Sequence, residues 1–66
     1  MYVLEYSYDD GRTWDYPGEP SACVFPTEAD ADIAGGDLLE RCPEYRQVHL
    51  RVVHEGRTVT RWAPCE

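Results

Sequence analysis

The sequence has 66 residues, the size of one small domain, and we expect a single domain over 1–66. Thirteen acidic residues against six arginines give a net charge of −7, which disfavours direct binding of nucleic acid or of an anionic membrane. A chain of this length buries only about 60% of its unfolded surface. Its core is therefore too thin for the deep pocket of most cofactor-dependent enzymes, and we expect no catalytic residues, no cofactor and no metal site.

Charge is unevenly distributed along the chain. Residues 1–45 contain eleven acidic residues and two arginines, whereas residues 46–66 contain four arginines and two acidic residues. We therefore expect one strongly acidic side and one mildly basic side. Hydrophobic residues make up 42% of the chain and aromatic residues 12%, which is typical of a folded rather than a disordered protein.

A β-hairpin is predicted over residues 2–16. Its first half is rich in aromatic and β-branched residues, which favour a strand. The run Asp9-Asp10-Gly11 is typical of a turn, because glycine tolerates positive φ and aspartate hydrogen-bonds to nearby backbone. Residues 12–16 then favour a returning strand. Residues 17–26 are predicted to form a loop, in which Cys23-Val24-Phe25 favours one short edge strand.

A helix is predicted over residues 27–42. Thr27 suits the N-cap position, and the acidic residues after it favour the positive end of the helix dipole. Pro43 ends the helix. Gly35 and Gly36 each lower the helix propensity by about 1 kcal/mol relative to alanine. They indicate a close approach of the helix backbone to a sheet, or a kink, or a shorter helix.

A second hairpin is predicted over residues 46–63. Its first strand alternates between apolar and polar residues, and Glu55-Gly56 favours a two-residue loop. In the register that this loop sets, Val52 faces Val59. The predicted core face of the hairpin consists of Val48, Leu50, Val52 and Val59.

The order of elements predicts an α+β fold. Two strands, a helix and two more strands give a ββαββ arrangement, and the simplest architecture is a small antiparallel sheet with one helix packed on one face.

Five positions of the first predicted turn form a motif. Ser7, Asp9, Gly11, Thr13 and Trp14 read S-x-D-x-G-x-T-W. The motif resembles the Asp-box, a β-hairpin found in sialidase-type propellers and singly in unrelated folds. The resemblance implies that Asp9 accepts hydrogen bonds from turn backbone, that Gly11 takes a left-handed conformation and that Trp14 packs the hairpin base. We expect a structural role, because the chain is too short for a propeller.

The cysteines and histidines do not have the spacing of a zinc site. Three cysteines are an odd number, so we expect reduced thiols, with Cys23 and Cys42 as small core residues and Cys65 as a free thiol. His49 and His54 are five residues apart, which places them on opposite faces of a strand. No pair of closely spaced cysteines accompanies them.

The acidic helix is the main candidate for a functional surface. The expected partner-binding residues are Glu28, Asp30, Asp32, Asp37, Glu40, Asp9, Asp10, Tyr6 and Tyr8. Acidic side chains in this pattern either form a solvated helix face or imitate the phosphates of nucleic acid toward a basic partner. Tyrosines are enriched in protein interfaces, which favours their inclusion.

Two other readings of the sequence remain open. The basic end of the chain could bind nucleic acid, with Arg51 and Trp62 sharing one face as a stacking platform. The protein could instead be a structural or assembly module that self-associates through a sheet edge or a tyrosine surface.

The chain as a whole resembles small proteins of GC-rich, actinobacterial bacteria and their phages. The resemblance rests on the small size, on arginine as the only basic residue besides histidine, and on the opening Y-x-x-E-Y-S-x-D-x-G-x-T-W. It implies a non-enzymatic inhibitor or modulator of a host protein with a basic surface, such as a nuclease, a CRISPR complex or a polymerase. The N-terminus has no basic start or long apolar run, so we expect a cytoplasmic monomer or homodimer without membrane contact.

Overall fold

Four antiparallel strands and one α-helix build a two-layer fold in the computed structural model, which describes residues 1–64. The elements are β1 (Tyr2–Ser7), β2 (Val24–Phe25), α1 (Glu28–Arg41), β3 (His49–His54) and β4 (Arg57–Trp62). The strand order is β2-β1-β3-β4, and α1 packs across one face of the sheet on β1 and β3. The predicted α+β class, a small antiparallel sheet with one helix on one face, is confirmed.

The pairing of β1 with β3 decides which side chains lie under the helix. Leu4 pairs with Val52, and both side chains lie on the face that α1 covers. Glu5 pairs with Arg51 one step along, on the opposite face of the sheet. We call this opposite side the open face; it carries Val3, Glu5, His49, Arg51, Val53 and Arg61. The buried core between sheet and helix consists of Leu4, Cys23, Ala31, Leu50 and Val52.

Helix α1 is continuous despite its two central glycines. The Thr27 Oγ1 caps its N-terminus by accepting a hydrogen bond from the Asp30 amide at 3.1 Å. Gly35 is buried, and a Cβ built on it would lie 2.4 Å from the Trp62 ring. Close approach to the sheet is therefore the reason for this glycine. A Cβ on Gly36 would meet nothing within 4 Å, so the second glycine has no such contact.

The predicted strand over residues 12–16 is wrong. Only Asp15 of this segment pairs with β1, through two backbone hydrogen bonds to Tyr6 of 2.9 and 3.0 Å. β3 occupies one edge of β1 along its whole length, and β2 pairs with Tyr2 and Val3 on the other edge. The returning chain reaches β1 beyond β2, and it pairs there through a single bridge.

Two proline-led 3-10 turns set where neighbouring strands begin. Pro20–Cys23 forms one turn and leads into β2, so the edge strand predicted at 23–25 is present but short. Pro43–Gln47 forms the other turn. The second hairpin was predicted to begin at residue 46, and because of this turn its first strand begins only at His49.

The connection between β3 and β4 is the predicted two-residue loop. Glu55 (φ 52°) and Gly56 (φ 77°) both have positive φ, as the tightest hairpin turns require. The prediction of this loop from Glu55-Gly56 is confirmed.

The register beyond this loop differs from the predicted one because β4 contains a bulge. Val52 pairs with Thr60, and the next pair joins Val53 to Thr58, which leaves Val59 as an extra residue. Val59 is 39% exposed. The predicted pair of Val52 with Val59 is therefore wrong, and Val59 is not part of the core.

We expect Gly35→Ala to lower the free energy of unfolding by about 1–3 kcal/mol, because the added methyl group would overlap the Trp62 indole. Gly36→Ala is the matched control in the same helix. It should stabilise the protein by about 0.5–1 kcal/mol, since it restricts the unfolded backbone without a clash. Urea denaturation followed by circular dichroism measures both, and equal effects of the two substitutions would contradict the proposed contact.

Candidate functional site

The outward side of α1 is acidic and has one large apolar side chain at its centre. We call it the acidic helix face and define it by Asp30, Ile33, Asp37 and Glu40. Glu28 is exposed in the first turn, but its spacing to buried Ala31 and Gly35 places it on another side of the helix. Ile33 is 70% exposed. Asp30 and Asp37 are its neighbours at helical spacing, and Glu40 lies one further turn along. The structure thus adds Ile33, which the sequence analysis did not single out.

Asp37 is the only member of the acidic helix face that forms an ion pair within residues 1–64. Its carboxylate lies 3.1 Å from the Arg41 Nε, one helical turn away, and the arginine is mostly exposed. An exposed pair of this kind contributes about 0–1 kcal/mol. Asp37 therefore remains available for a partner.

Asp32 belongs to the packing between helix and sheet rather than to the acidic helix face. Its Oδ1 accepts a hydrogen bond of 2.7 Å from the Thr60 hydroxyl, and the side chain is half-buried. Thr60 lies on the helix-covered side of β4, opposite Val52. The predicted binding residue thus has a second, structural task in joining α1 to β4.

Ser7 and Asp9 organise the turn after β1. Ser7 is 1% exposed; its hydroxyl donates to the Asp9 Oδ1 at 2.6 Å and accepts from the Gly11 amide at 2.9 Å. The Asp9 carboxylate also accepts hydrogen bonds from the backbone amide (2.9 Å) and the hydroxyl of Thr13. The donors Ser7 and Thr13 hold the pKa of Asp9 well below its ordinary value, because they stabilise the charged form.

The other residues of this turn adopt backbone conformations that their residue types favour. Asp10 and Gly11 have positive φ values of 62° and 86°, and the Trp14 Nε1 donates to the Gly11 carbonyl at 3.1 Å. Asp10 is exposed, and its Oδ1 lies 3.5 Å from the His49 Nε2 on the open face. Asp9 is thus committed to this turn, whereas the Asp10 side chain is 96% exposed and only approaches His49.

Trp14 anchors the turn on the open face. The Arg51 guanidinium lies 3.7 Å from the centre of a Trp14 ring, within the range of a cation–π interaction. The Nε and Nη2 of Arg51 both lie 2.9 Å from the Glu5 Oε1. The expectation that Arg51 and Trp62 share a face is wrong, because Trp62 pairs with Leu50 on the helix-covered side. Nothing local in the sequence links Trp14 to Arg51.

Three tyrosines meet at the end of the sheet beside the last turn of α1. The Tyr6 ring lies 5.8 Å from the Tyr8 ring and 5.4 Å from the Tyr45 ring, edge to face in the second case. The Tyr45 hydroxyl donates to the Pro17 carbonyl at 3.3 Å, and burial raises the pKa of Tyr45. Tyr8 is 75% exposed. Tyr6, Tyr8 and Tyr45 are called the tyrosine cluster below.

The predicted site residues therefore fall into separate groups. The acidic helix face lies on one side of the molecule, whereas Asp10 contacts His49 on the open face of the sheet. Within residues 1–64, no hydrogen bond or ion pair joins the helix acids to Asp9 or Asp10. Tyr6 and Tyr8 lie together in the tyrosine cluster.

A shallow groove of about 380 Å³ lies between α1 and the segment before β2. Leu4, Cys23, Phe25 and Leu38 line its apolar part, and Cys42 lies in its wall. Both cysteines are free thiols, and burial raises the pKa of Cys23, which keeps this thiol protonated at neutral pH. The expected buried position of Cys23 is confirmed, whereas Cys65 lies outside the described residues.

Within residues 1–64, no three His, Cys, Asp or Glu side chains come together as the ligands of a metal ion would. None of the helices in the described part of the chain has the length and hydropathy needed to cross a bilayer.

We compared the chain with models of protein families, with curated proteins and with solved structures, and nothing matched in any of the three comparisons.

We expect Asp9→Asn to destabilise the fold at neutral pH and to have progressively less effect in acid. The native pKa of Asp9 lies below the unfolded value of 3.8. Its charge therefore stabilises the fold above about pH 4, and this contribution is lost as the pH falls through the native pKa. Urea titrations of both proteins from neutral pH to about pH 2 measure the difference in free energy of unfolding.

Thr13→Val is the partner variant for this experiment, since it removes one donor and keeps the carboxylate. It should reduce the pH-dependent part of the stability without abolishing it. A stability difference between wild type and Asp9→Asn that does not vary with pH would contradict the lowered pKa of Asp9 in the folded protein.

Proposed function

We propose that this chain is a non-enzymatic interaction protein whose acidic helix face binds a basic surface on another protein. The observation that carries the proposal is Ile33, which is 70% exposed with acidic residues around it on the helix. An exposed apolar side chain with a charged rim is the pattern of an interface anchor. Burying an isoleucine side chain contributes about 1.5–3 kcal/mol, and the acids around it would orient the partner.

A purely solvated helix face accounts for only part of this surface. Asp30 lies in the first turn, where the helix dipole favours negative charge. Asp37 and Glu40 lie near the C-terminal end, where the dipole disfavours it. A single exposed isoleucine is ordinary on a protein surface, and it is the acids around Ile33 that favour an interface here. A binding role explains the acids at both ends of the helix and the isoleucine between them.

The partner that suits this surface has a groove lined with lysine and arginine and a small apolar recess for Ile33. Proteins that handle nucleic acid have such grooves, because they bind phosphates through basic side chains. We propose that the chain occupies such a groove in the bacterial cytoplasm as a phage-type inhibitor or modulator, with its carboxylates in place of phosphates. A nuclease, a CRISPR complex or a polymerase is the class of partner proposed.

The test begins with capture of partners by the tagged full chain from a nuclease-treated lysate of a GC-rich bacterium. The affinity of the purified partner is then measured for variants. Ile33→Ser should weaken binding about tenfold or more, since it removes the anchor from the interface. Changing Asp30, Asp37 and Glu40 together to amides should weaken binding and reduce its dependence on salt.

The matched control changes Glu19, Glu44 and Glu55 together to glutamine, which alters the net charge equally away from the acidic helix face. It should change the affinity less than about twofold. Equal losses in the two triple variants would mean that only net charge matters and would refute the proposed surface. Competition by added DNA would support the proposed occupation of a nucleic-acid groove.

Self-association through the tyrosine cluster is the second candidate, and the exposed ring of Tyr8 beside Tyr6 favours it. If it operates, the protein sediments as a dimer at about 100 µM, and Tyr8→Ser restores the monomer, because a large apolar contact is lost. A wild-type monomer at that concentration in sedimentation equilibrium would rule this candidate out.

A further inference from the structure

The sheet has one long edge that no described element covers. β4 pairs with β3 on one side, and within residues 1–64 no strand pairs with its other side. The opposite edge of the sheet, β2, is only two residues long. An uncovered edge strand presents unpaired backbone N–H and C=O groups to which another strand can add. β4 is therefore the place where this sheet can grow.

A row of charges across the open face is incomplete at this edge. Glu5 on β1 pairs with Arg51 on β3, and Arg51 stands directly opposite Arg61 on β4. Glu5 binds the Arg51 guanidinium, so the first two charges compensate each other. Within residues 1–64, Arg61 forms no ion pair, and its one side-chain hydrogen-bond contact is a 3.4 Å approach of its Nη2 to the His49 Nδ1.

Two like charges directly opposite each other on neighbouring strands are unfavourable, whereas opposite charges stabilise the pairing. Arg61 has the like charge of Arg51 on its inner side, and no strand of residues 1–64 lies on its outer side. A carboxylate on a strand beside β4 would complete the row as negative, positive, positive, negative.

Because of the bulge at Val59, the two arginines of β4, Arg57 and Arg61, lie on opposite faces of the sheet. Arg57 pairs with His54, whose ring stacks on Tyr2, whereas Arg61 lies on the open face. Both arginines are exposed, and exposed Val59 lies between them. The edge thus offers a positive charge to each face of an added strand.

We propose that β4 is a docking edge for an extended acidic segment of another protein, which adds as a fifth strand with a carboxylate opposite Arg61. The backbone of β4 supplies the hydrogen bonds, and the arginines select the acidic sequence. The proposal does not depend on the acidic helix face, which lies on the outward side of α1 and contains no residue of β4.

A second copy of this chain fits the edge less well. Residues 57–61 read R-T-V-T-R, and β4 contains no acidic residue. Two copies of β4 paired antiparallel about Val59 would place Arg57 of one opposite Arg61 of the other, and the bulge interrupts a regular ladder. The arginines that oppose pairing with a second copy are the residues that would pair with the carboxylates of an acidic strand.

The test uses the full chain labelled with ¹⁵N at physiological salt. Two capped probe peptides are titrated, Thr-Val-Glu-Val-Glu-Val-Thr and its twin with lysine in place of both glutamates. The glutamate peptide should shift the amide signals of β4 and slow the hydrogen exchange of those on its outer side. The lysine peptide should bind at least about tenfold more weakly. The overall charge of −7 opposes this preference, so it cannot arise from net charge.

Arg61→Glu should reverse the preference between the two peptides, and Arg61→Gln should reduce it without adding a negative charge. Arg41→Glu makes the same charge change on α1 and should leave the preference unchanged. Native-like amide spectra of the variants show that each is folded. The proposal is overturned if both peptides bind alike, if neither binds at about 1 mM, or if the shifts lie outside β4. A dimer without peptide in which the outer-side amides of β4 are protected would also overturn the proposal, because it would assign the edge to a second copy.

Discussion

The seating of α1 on the indole of Trp62 is the contact on which the two-layer arrangement depends. Gly35 has no side chain, so the helix backbone reaches the ring at a distance that any Cβ would prevent. The hydrogen bond from Thr60 to Asp32 fixes the same pair of elements one turn earlier in the helix. Ala31, Leu50 and Val52 form the buried core under the same helix, so this contact sets the distance at which that core packs.

This seating decides which parts of the surface are left for partners. With Ala31 and Gly35 turned to the sheet, the opposite side of α1 carries Ile33 among acids. On the other face of the sheet, Trp14 covers Arg51 and ties down the turn that Asp9 organises. The acidic helix face and the basic edge are therefore different surfaces, the first on the outward side of α1 and the second on β4. A partner approaching the helix meets negative charge, and one approaching β4 meets positive charge.

The sequence predicted the structure correctly wherever a few neighbouring residues determine the backbone conformation. Thr27 and Pro43 bound α1 closely, and Glu55-Gly56 forms the tight loop that two positive φ values require. Helical spacing groups Asp30, Asp37 and Glu40 once the helix is given, but it could not show that Asp32 binds Thr60. Ile33 was missed, since its exposure follows only from knowing that Gly35 faces the sheet.

The sequence by itself determined the α+β class, the helix, the second hairpin loop and the acidic character of one side, because capping, turn chemistry and periodicity act over a few residues. Tertiary structure decided what depends on distant segments. β3 pairs with one edge of β1 and β2 with the start of the other, and residues 12–16 meet the rest of that edge only at the bridge of Asp15 with Tyr6. The bulge at Val59 set the register of β4 and separated Trp62 from Arg51. Trp14 contacts Arg51, which lies thirty-seven positions away in the chain. Only folding brings these two residues to one face of the sheet, because neither local sequence carries information about the other.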